Sequence, residues 1–303
     1  MNKKVKKILL IILLILITGT CIALGINTRY NDRIQITQFA SYGERQSMGY
    51  MLKTKANKLV MIDGGTKENK EHVLEEIKKN GGIIEYWFIT HAHDDHYGVL
   101  KEILKENMAG IKINNIIVSL NDEEWYKIND SSRYDDIKEF LDLLKREDVS
   151  PIVKEAVLRE KINVDNLNFN ILKLKSPEIT ENAGNNQSMV IKVDNMFKSV
   201  LFLADIGEEV QEEFVNNNLD EIECDAVQMA HHGQNGVTKW VYEKIDPKIC
   251  MWPTPEWLWN NDNGEGFNTA EYKTIETRKW ILEEMQIEDN YIAKDGDLLI
   301  EVW

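Results

Sequence analysis

Beyond residue 30 the chain alternates short apolar runs with polar, turn-forming stretches, and the period of each run predicts an element. Ile83-Ile84-Glu85-Tyr86-Trp87-Phe88-Ile89 reads as a buried strand, and past it Val99, Leu100, Ile103 and Leu104 have helical spacing. Earlier strands are expected near 34–40, 47–54 and 58–62. A helix is expected over 68–80, with Val73, Leu74 and Ile77 on one face and His72 on its polar side, ended by Gly81-Gly82. Ile116-Ile117-Val118 reads as another inner strand. The charged stretch 122–147 reads as one or two exposed helices, stopped by Ser150-Pro151. A second half follows, with strands near 153–158, 168–174, 188–194 and 198–204, and a hairpin turn at Asn195-Met196-Phe197-Lys198. Then come a helix near 207–217, a strand near 224–229, helices near 237–244 and 269–285, and a strand at 297–301. Strands and helices mixed in two successive halves define an α/β protein.

The N-terminus follows another rule. Lys3, Lys4, Lys6 and Lys7 precede an apolar run from Ile8 to Ile26, interrupted by Thr18, Gly19, Thr20 and Gly25. That run is nearly long enough to span a bilayer. The lysines are expected to stay cytoplasmic, which places the following domain outside as a single-pass membrane protein. The alternative is a cleaved signal peptide ending near Ala23-Leu24-Gly25, which would release a secreted protein. Residues 1–30 are thus read as a signal anchor or signal peptide. Residues 31–303 are long enough to bury one large core. Of the three cysteines, Cys21 lies in the apolar run, while Cys224 and Cys250 sit in strand-like contexts that predict buried thiols rather than a disulfide framework.

Charge narrows the partners. The chain carries −15 formally, and residues 1–30 hold five basic side chains and no acid. That leaves 31 basic against 51 acidic residues beyond them, or −20. Such a surface opposes long polyanions, so duplex DNA is not an expected partner. No protein partner is identifiable.

The chemistry is concentrated in Thr90-His91-Ala92-His93-Asp94-Asp95-His96-Tyr97-Gly98, which holds three of the six histidines. Imidazole and carboxylate side chains in the pattern H-x-H-x-D-H are ligands for zinc and neighbouring divalent metals. The run lies in a strand-to-helix turn, where α/β sheets place their chemistry. Three more strand ends carry matching groups: Leu59-Val60-Met61-Ile62-Asp63-Gly64-Gly65, Val200-Leu201-Phe202-Leu203-Ala204-Asp205, and Ala226-Val227-Gln228-Met229-Ala230-His231-His232-Gly233.

In order and content these motifs resemble the metallo-β-lactamase superfamily over roughly residues 34–301. The resemblance implies an αββα four-layer sandwich and a metal-dependent hydrolase. It also implies two divalent metal ions, zinc ahead of manganese. His91, His93 and Asp205 would hold the first; Asp95, His96, Asp205 and one of His231 or His232 the second, with Asp63 bracing them from behind. Asp95 and His232 are the expected catalytic pair. The nucleophile would be a water shared by two cations. Asn185-Asn186-Gln187-Ser188 stands where many members carry a further histidine. With His-His-Gly, it resembles the branch containing the metallo-β-lactamase-like domain of bacterial competence DNA-uptake channels; phosphorylcholine esterases are similar in layout. Asn186 and Ser188 are therefore expected as supporting residues. The branch implies a phosphodiesterase, and the acidity of the domain favours a small or medium phosphodiester over duplex DNA. Carboxylic ester, lactone or amide hydrolysis, or a non-catalytic surface binding module, are the alternatives. Trp252, Trp257 and Trp259 flank two prolines; they would either pack the core or wall the substrate against an apolar, sugar or quaternary ammonium group.

Overall fold

The structure, a computed structural model, describes residues 11–18 and 33–303. The apolar run of the N-terminus therefore lies mostly outside the described residues. Its described part is helix α1 (residues 11–18), and no helix among the described residues is long and apolar enough to cross a membrane.

Two sheets carry the rest. The first has the order β15–β1–β2–β3–β4–β6–β7, with β5 on the side of β4. These strands are β1 (Ile34–Gln38), β2 (Gly49–Lys53), β3 (Leu59–Asp63), β4 (Ile83–Ile89), β5 (Lys112–Ile113), β6 (Ile116–Val118), β7 (Val153–Glu155) and β15 (Leu298–Val302). The second runs β14–β13–β12–β11–β10–β9–β8. Its strands are β8 (Lys161–Val164), β9 (Leu167–Lys173), β10 (Val190–Asp194), β11 (Ser199–Phe202), β12 (Ala226–Gln228), β13 (Ile249–Trp252) and β14 (Asp289–Ile292).

Strand composition explains the layering. β3 is buried at every position, as a strand covered on both faces must be. Its Val60 and Ile62, with Ile34 and Ile36 of β1, join Phe88, Phe169, Ile191 and Phe202 in a core between the sheets. Phe88 stacks on Phe169 at 5.4 Å, and Tyr50 meets Phe202 edge-on at 5.1 Å, so aromatic pairs join one sheet to the other. Each such ring buried contributes roughly 1.5–3 kcal/mol. Outside the first sheet, α2 (Lys70–Lys79), α3 (Asp94–Lys105) and α5 (Tyr134–Lys145) cover Met61, Trp87 and Ile116. Outside the second, α7 (Glu208–Asn217) and α8 (Lys239–Ile245) cover Leu201, Val227 and Cys250. Helix, sheet, sheet, helix is the expected sandwich.

The charged stretch 122–147 forms two helices, α4 (Glu123–Asn129) and α5, because Asp130–Arg133 breaks it. Several expectations need correction. α5 is not simply exposed, since it buries Ile137, Phe140, Leu141 and Leu144. The C-terminal helix is only α10 (Thr274–Lys279) plus one wide turn over Trp280–Glu284, since residues 260–273 are consumed by a loop closed by Asn261 and Asn263. β5, β8 and β14 were not expected. His72, expected on the surface, is half-buried and pairs with Asp297 and Tyr42.

β3, β4, β6 and β7 are mutually parallel, and so are β11 to β14. Their C-terminal ends meet along one rim of the sandwich, where ligands collect in open α/β sheets.

Candidate metal centre

Three strand ends turn sharply at that rim. Asp63 after β3, Ala204 after β11, and His231 and His232 after β12 all take left-handed backbone, with φ of 50–55°. Non-glycine residues held there cost of order 1 kcal/mol or more and cluster at functional sites.

The side chains released by these turns converge on Asp205 Oδ2. It lies 3.2 Å from His96 Nε2, 3.5 Å from His232 Nε2, 3.9 Å from His231 Nε2 and 4.0 Å from His91 Nε2. His232 Nε2 is also 3.4 Å from Asp95 Oδ2. Two groups each bring their ligand atoms within 4.8 Å of one another: His91, His96 and Asp205, and Asp95, His96 and His232. All five residues are buried.

The opposite edge of each ring is committed elsewhere. His96 Nδ1 faces Asp63 Oδ2 at 2.8 Å; His232 Nδ1 donates to Pro253 O at 2.9 Å. His91 Nδ1 lies 3.1 Å from Thr90 Oγ1 and 3.2 Å from Ser188 Oγ. Those contacts leave Nε2 of His91, His96 and His232 inside the cluster without a hydrogen-bond partner, together with Asp205 Oδ1. Buried polar atoms are seldom left so. A set of unsatisfied imidazole nitrogens around shared carboxylates fits a divalent cation.

Asp63 does more than hold His96. Its two oxygens also accept from the Thr90 amide (2.9 Å) and hydroxyl (2.7 Å), which fixes the start of the ligand loop. Ser188 Oγ accepts from the Asp205 amide at 3.1 Å, tying His91 to the second sheet. Asn186 touches no ligand side chain; its Oδ1 accepts from Gly207 N at 2.9 Å and steadies the turn after Asp205.

His93 and His231 stand beside the two groups. His93 Nε2 is held by Asp130 Oδ2 at 3.0 Å, so Nδ1 is the atom left for a metal. Asn185 Nδ2 lies 3.2 Å from His231 Nε2. The place of the missing histidine is thus filled by an amide facing His231. Asp130 was missed in the sequence because it lies outside the ligand run, while Thr90 and Asn185 were read only as members of their motifs, without the contacts described here. Only the fold brings Asp130 to His93.

Electrostatics match the geometry. Burial disfavours charge on His96 and His232, yet the carboxylates outweigh it. Asp205 and Asp63 raise His96, and Asp205 and Asp95 bring His232 up to about 9. Against the same burial, the neighbouring imidazoles hold Asp95 and Asp205 well below the usual carboxylate range. Burial lowers His91 and His231.

The tryptophans divide. Trp252 is wholly buried on β13 and donates to Asn290 at 2.9 Å; Trp259 packs edge-on against it at 5.2 Å, under Arg278 at 4.2 Å. These two are core side chains, not a substrate wall, because the short helix α9 (Glu256–Trp259) turns Trp259 inward. Trp257 is half-buried, 6.1 Å from the Tyr272 ring.

Comparison with known proteins agrees with this architecture. The sequence profile of the metallo-beta-lactamase superfamily matches residues 42–239, and the chain belongs to that superfamily. With the histidine and aspartate groups described, it is a hydrolase-family protein suited to divalent metals. Among solved structures, the metallo-beta-lactamase fold protein YhfI from Bacillus subtilis is similar over 89% of this chain and 100% of its own, with 12% identity and a TM-score of 0.53. The CmlA beta-hydroxylase E377D mutant is similar over 89% of this chain and 54% of its own, with 10% identity and a TM-score of 0.56, so the chain spans about half its length. At these identities both show the fold alone. No curated protein matches the sequence significantly.

Proposed function

We propose that this chain is an extracytoplasmic, membrane-anchored, metal-dependent phosphodiesterase acting on a small or medium substrate. The observation that carries the reading is the convergence of three unpartnered imidazole nitrogens on the Asp205 and Asp95 carboxylates. His91, His93 through Nδ1, and Asp205 would hold one cation; Asp95, His96, His232 and Asp205 the other. Bound there, two cations would lower the pKa of a water and neutralise charge on a phosphoryl oxygen. Of the two adjacent histidines, His232 has the ligand geometry. His231 is held differently: the Asn185 Nδ2 amide donates to its Nε2 at 3.2 Å, and burial favours its neutral form, so it stands beside the cluster as a supporting residue rather than as an acid.

Arg45 supports a phosphodiester over a neutral ester, lactone or amide. Its guanidinium forms a fork with Asp94 at 2.5 and 2.9 Å, next to the ligand Asp95. Asp94 holds that guanidinium beside the ligand loop, where a phosphodiester oxygen would compete with the carboxylate for it. The Asn-Ser and His-His-Gly motifs, which resemble those of the competence branch, favour the same bond.

Elemental analysis of the purified chain should find up to two zinc or manganese ions. Metal-loaded protein should turn over bis-p-nitrophenyl phosphate faster than p-nitrophenyl acetate or a chromogenic cephalosporin. Asp95→Asn should abolish that turnover with an unchanged circular dichroism spectrum. Absence of metal, or preference for the acetate ester, would reject the reading. Arg45→Met should raise KM for the phosphodiester several-fold and leave ester cleavage unaltered.

A further inference from the structure

The pole of the sandwich opposite the metal centre exposes apolar side chains, Met196 and Phe197 on one strand pair and, with the Arg33 guanidinium 5.1 Å over its ring, Trp303 on the other. Met196 and Phe197, at the tip of the β10–β11 hairpin, are 86% and 42% exposed, and Trp303 is 49% exposed. The hairpin tip precedes β11, whose other end leads to Asp205, and β1 starts at the same pole, where Ile34 pairs with Val302. Strands of four to seven residues separate this pole from the ligands, roughly 15–25 Å. Lys198 and Trp303 line one recess of about 540 Å³, so the hairpin and the chain's last residue share a single surface.

We propose that this pole rests on a lipid bilayer, with Met196 and Phe197 in the boundary between headgroups and acyl chains and Trp303 at headgroup level. The inference rests on the proposed N-terminal anchor. Ile11 to Ile17 of α1 are all about half exposed or more, and residues 19–32 connect them to β1 at this same pole. Fourteen residues reach no more than about 50 Å, so a bilayer holding the apolar run lies close to this face. Tryptophan belongs at such interfaces. The cations here are already matched: Lys198 with Asp225 at 2.6 Å, Arg33 with Glu301 at 2.8 Å, Lys248 with Asp246 at 3.6 Å. The same recess carries Glu288 and Asp289, so the contact is apolar and made with uncharged headgroups, and the metal centre faces away from the membrane.

The test uses the full chain carrying Cys21→Ser, reconstituted in phosphatidylcholine vesicles. Cys224 and Cys250 are buried and stay unlabelled. A fluorophore on Met196→Cys should be quenched by shallow nitroxide lipids at least threefold more than one on Asn263→Cys, at 0.1 and 1 M salt alike. Adding Phe197→Asp should remove most of that difference and leave phosphodiester turnover intact. Flotation with the vesicles but equal quenching at both positions would overturn the lipid-facing pole while the anchor stands. Failure to float would overturn both, and neither result depends on the hydrolase reading.

Discussion

A single methyl group separates the His93–Asp130 pair from collapse. A Cβ on Gly184 would lie 2.1 Å from His93 Nε2 and 2.5 Å from Asp130 Oδ2. Gly184 sits in the short helix α6 (Ala183–Asn186), where alanine would otherwise be favoured by about 1 kcal/mol. Gly184→Ala should therefore push His93 away, lower the metal content from two toward one, and cut kcat at least tenfold without unfolding the chain. Asp130→Asn keeps the volume and should weaken metal binding roughly 10- to 100-fold, as loss of a carboxylate behind a ligand imidazole does. Elemental analysis checks both. The raised pKa values make a third expectation. In the metal-free protein His96 and His232 hold protons that a cation must displace. Zinc affinity should rise as pH increases toward about 9, the His232 value, with proton release measurable by calorimetry in two buffers. Stability of the metal-free fold runs the other way. A folded pKa raised above the unfolded value near 6.5 stabilises fully below that pH, and the gain is lost as pH rises through about 9. The H-x-H-x-D-H run was legible because its ligands sit in consecutive sequence. Asp130 was not, since 37 residues separate it from His93.

Elements were legible where period and length agreed. β4 and α3 were read from Ile83–Ile89 and the spacing of Val99 to Leu104; all four α3 positions and Ile84, Trp87, Phe88 and Ile89 are buried, while Ile83 at the start of β4 is exposed. β8 and β14 escaped because four residues carry too little alternation to separate strand from loop. The Trp257 region escaped for another reason. Pro255 precedes α9 and starts a helical turn, so alternate tryptophans point to different sides. This fixes opposite outcomes for two similar substitutions. Trp259→Ala removes a buried ring and its contact with Arg278 and should cost about 3–5 kcal/mol in denaturant unfolding. Trp257→Ala should cost far less and instead raise KM for the preferred substrate; equal destabilisation by both would assign Trp257 to packing as well. Lys173 at the end of β9 shows how an element supports the centre from behind. Its buried ammonium donates to Asn186 O and Ser188 O, at 2.8 and 3.3 Å, and burial pulls its pKa down to about 8.

At the scale of the molecule, the acidity of the domain sets what can approach. With −20 beyond residue 30, the chain should not degrade plasmid DNA efficiently at physiological salt, and agarose electrophoresis decides it. Efficient degradation would mean that Arg45 and its neighbours overcome the general field. Both halves of the chain contribute to the centre, the first more than the second: Asp63, His91, Asp95 and His96 come from one, Asp205 and His232 from the other. Yet the sheets do not divide so cleanly, since β15 at the C-terminus pairs with β1 at the start of the domain. That closure sets a timetable. During synthesis β1 has β2 on one side and an open edge on the other until residue 302 leaves the ribosome. The first sheet, and the ligand loop it carries, is closed only once β15 is available, and until then β1 keeps an exposed edge on which a foreign strand could pair.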